Sequence, residues 1–450
     1  MTVVAADSVQ VSHIAEATSG VTPATPAFDV WRLTGESLSF QPTTLASTEL
    51  GSTGRFQRPS SVTGSSVSGD LNFELAKFTA LEDAMAGVLA NPWGEGPLTP
   101  GSAGGAISAG RNTVGRALQT YTIEKRWPNA DATLGAMPVT AVASGAPGAS
   151  ADVDIANGGA GVLGTGVVVI DYQTDVQNAP TRITIPIAVG DTDTEIADKA
   201  TALNASHTYV TISNVAGTIT FTATGSASTV DVLESRAGAN DYVYQRYRGC
   251  TYSAMSFTTS PGAVVTGSAT VVAGSPELDS LPLVGSTYVD AGSNDPMTAS
   301  EVMDLTVGSA VPDLITTCWS SLTLNLDSSN REIFCIGHSG SRETALGTFT
   351  ASMSGEIYFS GNQEVLRAML ANEKVGDSKV VFADADGNMY RFDLYDTKVT
   401  SGSLSAGGQN QDVTIPITVE PSPVTVQTDS GEDWNSGLIV STVNTDPTLP

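Results

Sequence analysis

Apolar and polar residues alternate along Val67-Ser68-Gly69-Asp70-Leu71-Asn72-Phe73-Glu74. That period of two predicts a strand with one face in a core. The run Leu81-Glu82-Asp83-Ala84-Met85-Ala86-Gly87-Val88-Leu89-Ala90-Asn91 follows with helical spacing. Both patterns recur. Met353-Ser354-Gly355-Glu356-Ile357-Tyr358-Phe359-Ser360 repeats the strand, and Glu364-Val365-Leu366-Arg367-Ala368-Met369-Leu370-Ala371-Asn372 repeats the helix. Each helix ends at Leu-Ala-Asn or Met-Leu-Ala-Asn, and Asn tolerates the left-handed conformation that stops a helix. A strand and helix recurring in the same order predict a duplicated domain.

The repeat extends without gaps, pairing Gly69 with Gly355, Gly54 with Gly340, Gly51 with Gly337 and Leu38 with Leu324. Trp31 to Phe40 alternates as a further strand. Lys379 to Leu394 is predicted to be a hairpin closed by an Asp-Gly turn. Its counterparts, Tyr121 to Arg126 and Tyr242 to Arg248, lie far apart in the chain. A domain inserted at a hairpin tip accounts for that gap, because tips tolerate insertion best. The insert has strand patterns at Val167–Ile170, Ile183–Ile187, Tyr209–Ile212 and Ile219–Ala223. It also has a helix running to Asn204 with Thr192 or Asp193 as N-cap.

The expected organisation is an N-terminal arm (1–27), a first repeat domain (28–129 with 241–274), and an inserted α+β module (130–240). A linker (275–317), a second repeat domain (318–420) and a C-terminal arm (421–450) follow. The expected fold class is mainly β: a β-sandwich or partial barrel with a short flanking helix, duplicated, plus the small α+β insert. Abundant glycine, 45 residues, favours short strands joined by turns.

Charge narrows the function. Twenty basic and 47 acidic residues give a net charge of −27, so phosphate neutralisation is not how this chain meets nucleic acid. Cys250, Cys318 and Cys335 are odd in number and lack metal-ligand spacing, which argues against a disulfide framework. His13, His207 and His338 form no zinc or Ser-His-Asp pattern. No phosphate-binding glycine motif follows a strand. Asp384-Ala385-Asp386-Gly387 lacks the later ligands of a calcium loop and fits a hairpin turn. No carboxylate pair stands out for glycoside hydrolysis. The expectation is therefore no enzyme activity, no cofactor and no metal. Neither a secretory leader nor a run of about 18 apolar residues is evident, which points to synthesis in a cytoplasm and no membrane.

Three groups of residues carry a family resemblance. They are Thr25-Pro26-Ala27-Phe28-Asp29-Val30-Trp31-Arg32-Leu33-Thr34-Gly35-Glu36-Ser37-Leu38 with Ser47-Thr48-Glu49-Leu50, the Val67–Leu75 strand, and Tyr247-Arg248-Gly249-Cys250 leading to Met255-Ser256-Phe257 and Pro261-Gly262. Together they resemble the tail tube proteins of bacteriophages with long non-contractile tails. The resemblance covers both repeats and leaves the insert and linker outside. It implies a structural virion protein, made in the host cytoplasm, whose domains sit side by side so that their sheets close into a ring. A duplicated subunit implies a homotrimer forming a pseudo-six-domain ring. Stacked rings would enclose a lumen through which genomic DNA passes without specific binding. Tail terminator, tape measure and distal tail proteins would be its other partners. The alternative reading is a β-rich surface adhesin or carbohydrate-binding tail protein.

The candidate interface lies in two long connections, Gln41 to Ser66 and Asp327 to Ser352. Arg55, Phe56 and Arg58 in the first, with Arg342 and Glu343 in the second, stand out in an acidic, aromatic-poor chain. Arginine beside an aromatic residue is a common interface anchor, so these residues are expected to carry ring-to-ring contact.

Overall fold

The protein is described here from a computed structural model. It covers residues 8–47, 60–93, 109–128, 140–144, 148–156, 166–188, 190–204, 207–238, 242–272, 274–279, 281–301, 304–309, 318–336, 340–359, 367, 370–371, 373–402, 412–427 and 433–443.

The chain begins with β1 (Gln10–Glu16), β2 (Ala27–Val30), β3 (Gly35–Glu36), β4 (Ser39–Leu45) and β5 (Ser61–Glu74). Next come α1 (Thr79–Leu89), β6 (Ala109–Thr113) and β7 (Thr120–Pro128). The inserted segment holds β8 (Thr140–Ser144), β9 (Ser150–Ala156), β10 (Gly166–Thr174), β11 (Thr181–Ile187), α2 (Asp193–Thr201), β12 (Val210–Val215), β13 (Thr218–Ala223) and β14 (Val230–Gly238). It returns to β15 (Tyr242–Thr259), β16 (Thr266–Val272), β17 (Ser275–Asp279), β18 (Thr287–Val289) and β19 (Asp304–Thr306). The second repeat holds β20 (Trp319–Asp327), β21 (Arg331–Phe334), β22 (Ser341–Ala345), β23 (Thr350–Tyr358), β24 (Lys374–Ala383), β25 (Met389–Gly402) and β26 (Thr414–Glu420). The chain finishes with β27 (Val424–Gln427), β28 (Asp433–Ser436) and β29 (Leu438–Val443). The fold is mainly β, as the alternation predicts.

One antiparallel sheet runs β4–β5–β16–β15–β20–β23–β26–β25. Its first four strands and its last four follow the same order of chain segments. The long β15 leaves this sheet past a bulge and enters a second one, ordered β17–β15–β7–β1–β2–β18. β25 does the same, its first half lying between β24 and β29, with β6 on the far side of β29. The inward faces enclose one core that includes Leu71, Phe73, Tyr252, Phe257, Leu324, Met353, Phe392 and Ile417. Phe257 joins the two halves, its ring 5.2 Å from that of Phe392.

The bulges fix the correspondence between the halves. A Cβ on Gly69 would collide with the backbone at Ser37–Leu38, and one on Gly355 with the backbone of Ser321. Glycine at both sites admits the kinked neighbouring strand. Val67 pairs with Phe40 and Met353 with Leu324. With Gly69 matched to Gly355, Phe40 is therefore the counterpart of Leu324, and Leu38 of Leu322. The gap-free pairing of Leu38 with Leu324 is corrected by two residues.

Helix α1 buries Leu81, Ala84, Met85, Val88 and Leu89. Its left-handed terminal residue is Ala90 (φ 51°), not the expected Asn91. Asn91 instead holds the following segment, its carbonyl accepting from Asn112 Nδ2 at 2.7 Å. Only residues 367, 370 and 371 of the second helical pattern are described, so that expectation lies outside the described residues. The Trp31–Phe40 pattern is not one strand: β2 ends at Val30, Trp31 falls in a break, and only β3 and the start of β4 lie within the region.

The inserted segment encloses its own core, with Val153, Ile170, Ile185, Ile196, Ile212 and Phe221 all buried. Its sheets are ordered β11–β10–β14 and β12–β13–β9–β8. Thr192 caps α2 through a reciprocal capping box with Glu195. Three segments expected to be arms or linker supply strands to the main sheets. β1 pairs with β7 and β2, β17 with β15, and β29 with both β25 and β6. His13, Val11 and Val440 are buried there, apolar or ring surface that an extended arm would leave in water.

Candidate assembly surface

The two halves of the main sheet meet at β15 and β20. Ala254 pairs with Asp327, Ser256 with Asn325 and Thr258 with Thr323. Leu322, Leu324 and Leu326 of β20 point into the core and are almost fully buried. β4 holds the equivalent place in the first half, but no described strand lies on its outer edge. Phe40, the counterpart of the fully buried Leu324, is 39% exposed. At the other end of the sheet, Ser401 and Gly402 follow an irregularity in β25 and pair with Thr418 and Ile417 of β26, and β15 likewise pairs with β16 across an irregularity. The sheet thus ends in two edges whose internal counterparts are joined to each other.

The face opposite the core is polar. Asp70, Asn72 and Glu74 alternate with Leu71 and Phe73, Asn325 and Asp327 with Leu324 and Leu326, and Thr418 and Glu420 with Ile417 and Val419. Glu356 stands beside Ile357 in the same way. Among the described strand residues of this face, Lys398, opposite Glu420, is the one basic side chain. The face is acidic.

Each half extends a hairpin beyond the sheet. β4 and β5 remain paired out to Leu45 and Ser61, and β21 pairs with β22. The turn end of the second hairpin reaches the first, since a Cβ on Gly340 would lie 3.4 Å from Ser65 Oγ. Arg342 and Glu343 lie exposed on β22, with Glu343 opposite Ile333. Arg55, Phe56 and Arg58 lie outside the described residues. Sequence reasoning missed the apolar side chains of these hairpins. Leu45 (66%), Val62 (63%) and Phe334 (57%) are all largely in water. Their signal was present as isolated large apolar residues within otherwise polar connections.

A buried polar cluster lies elsewhere, where β1, β2 and α1 meet. His13 is fully buried. Trp31 Nε1 donates to His13 Nδ1 at 2.9 Å, and the Tyr252 hydroxyl lies 2.6 Å from the same nitrogen. His13 Nε2 has no hydrogen-bond partner among the described residues and lies 3.7 Å from Asp83 Oδ2. With Asp29, these groups offer atoms within 4.8 Å of one another, a spacing that suits a cation. The indole can only donate, so Nδ1 is the acceptor and the neutral ring carries its proton on Nε2. A protonated nitrogen has no lone pair for a metal. The cluster is a proton donor facing two carboxylates, and burial raises the Asp29 pKa, with Asp83 adding to that and His13 opposing it. Cys250 is equally inert: it is enclosed, and burial pushes its thiol well above the usual range.

The family model for phage tail tube protein matches residues 6–421. This chain belongs to the phage tail tube protein family. No curated protein matches it. The protein is a structural component of a phage tail and hence of the virion.

Proposed function

We propose that three copies of this chain close into a ring of six similar tube domains, and that such rings stack around a DNA-conducting lumen. The two domains are residues 28–129 with 241–274 and residues 318–420, with 130–240 as a separate module. The observation that carries this reading is the β15–β20 joint. There the edges of two similar four-strand units are joined, and among the described residues β4 and the end of β25 carry no further strand on their outer sides. A neighbouring chain whose β25 end, at Ser401–Gly402, pairs along β4 would cover that strand and bury Phe40, as β15 covers Leu324. Closure also removes edges that would otherwise pair without control. A head-to-tail joint of this kind gives a ring when its rotation closes after six domains.

The polar face then lines the lumen. Its carboxylates at Asp70, Glu74, Asp327, Glu356 and Glu420 repel the phosphate backbone, so DNA slides without being held. The ends of the tube meet other tail proteins.

Phe40→Asp tests the joint. It places a charge where a neighbour must pack while touching an edge strand that is already solvated. Negative-stain microscopy and native mass should show rings and a trimer for the parent chain, and a folded monomer for the variant. Unimpaired assembly of the variant would remove β4 from the joint. Six chains in one ring would overturn the trimer.

A further inference from the structure

The connection that leaves the first repeat does more than join it to the second. Residues 275–289 begin as β17, paired with β15, and end as β18, paired in parallel with β2. Between these anchors the backbone crosses the inserted module. Arg182 on β11 donates from Nη1 to the Pro282 carbonyl and from Nη2 to the Leu283 carbonyl at 3.0 Å. The same guanidinium grips Asp171 on β10 bidentately, Nε to Oδ1 at 2.8 Å and Nη2 to Oδ2 at 2.7 Å. Asp171 is fully buried, and its Oδ2 also accepts from the Gly285 amide at 2.8 Å. Gly285 has φ +66°, and a Cβ there would lie 3.2 Å from Pro180 Cγ and 3.4 Å from Thr25 Cγ2. The chain passes tightly between module and body, and a side chain at Gly285 would press on Pro180 while its backbone sits in the left-handed region.

The strap is tied to the body just as firmly. Arg246, fully buried, donates to Glu124 Oε2 at 2.7 Å, to Asp279 at 3.3 Å and to the Leu281 carbonyl at 2.6 Å. Arg248 pairs with Glu277 at 2.6 Å. Tyr288 donates its hydroxyl to the other oxygen of Glu124.

We infer that residues 275–289 are a strap that fixes the inserted module in one orientation on the body, with Asp171 and Arg182 as its positioning residues. A module joined only through the two chain crossings at β7 and β15 would pivot about them. The strap adds a third attachment through main-chain groups, so it does not depend on strap side chains. It is also the connection between the two repeats. A load or partner on the module is therefore transmitted to that connection instead of being lost in a hinge. The inference concerns the single chain and stands apart from the ring.

Hydrogen exchange read by mass spectrometry on the full chain tests it. The peptide spanning 281–287 should be protected in the parent. Asp171→Asn removes the charge that holds both Arg182 and the Gly285 amide, and exchange in that peptide should rise at least tenfold. The β12–β13 peptides should keep parental protection, showing a folded module. Arg182→Lys is the second variant. It retains a charge for Asp171 but loses the fork that reaches both carbonyls, and it should release the same peptide to a lesser degree. Exchange of 281–287 at open-chain rates in the parent, or parental protection in both variants, would overturn the strap. Should Asp171→Asn unfold the module, Arg182→Lys decides alone: released strap with a protected module supports the inference, and no release refutes it.

Discussion

A single residue shows best how burial and charge compete in this protein. Asp29 sits on β2 beside His13, half-enclosed, and burial raises its pKa above the ordinary 3.8. The folded state then holds the proton more tightly than the unfolded chain. Its contribution to stability is present at low pH and falls as pH rises from 3.8 through the raised folded value. At neutral pH the ionised carboxylate opposes folding. Asp29→Asn should raise the melting temperature at pH 7 and flatten the dependence of stability on pH over that acid interval, as read by thermal denaturation at a series of pH values. A melting temperature at pH 7 equal to or below the parent's would show that His13 outweighs desolvation. None of this was legible in the sequence. His13 looked isolated because its partners Trp31, Asp83 and Tyr252 come from three distant segments, and only the packing of β1 against α1 and β15 brings them together. Ala90 is a similar case. The pattern located the end of α1 to within one residue: Ala90 takes the left-handed conformation, and Asn91 is bonded to Asn112.

At the level of elements, period-2 alternation placed most core strands because each has one wet face and one buried face. It failed where a strand is broken by a bulge or is short and polar. Leu38 and Phe40 were read within one strand, whereas the kink against Gly69 shifts the register and moves Phe40 to an open edge. The long connections were legible as special but not as hairpins, since their strands carry mostly Ser, Thr and Gly. Their role in joining rings remains the expectation drawn from Arg55, Phe56, Arg58, Arg342 and Glu343, and the exposed Leu45, Val62 and Phe334 add apolar area beside them. Replacing Arg55, Phe56 and Arg58 together with Ala should leave the chain folded, because the described core strands are unchanged. It should weaken ring stacking by more than about 2 kcal/mol, the scale of an aromatic and arginine anchor. Tube length and resistance to salt, compared by microscopy, check this. Tubes equal to the parent's would place the contact on other segments.

For the molecule as a whole, the question is which parts the fold can lose. The reading of a duplication rests on two strands and their glycines that recur at one spacing. The reading of an insertion rests on one hairpin that is intact in the second repeat and split in the first. What the sequence hid is how far the supposed arms and linker enter the sheets. Their strands are short, and pairing with distant partners decides their structure. The register now states how a shortened chain must be closed. Pro128 pairs with Tyr242 as the last rung of β7 and β15, just as Ala383 and Met389 end the intact hairpin β24–β25. Replacing residues 129–241 with Asp-Gly should therefore close a two-residue turn that matches the twist of the flanking strands. The main core loses nothing, because the module's buried residues form a separate cluster. The strap loses its contacts to Arg182 and Asp171 but keeps Arg246, Arg248 and both flanking strand pairings. The shortened chain should fold, assemble like the parent and give tubes of smaller outer diameter with an unchanged bore. A chain that folds but yields a wider bore would put the module inside the ring. One that cannot fold would show that the strap needs the module to hold the two repeats together.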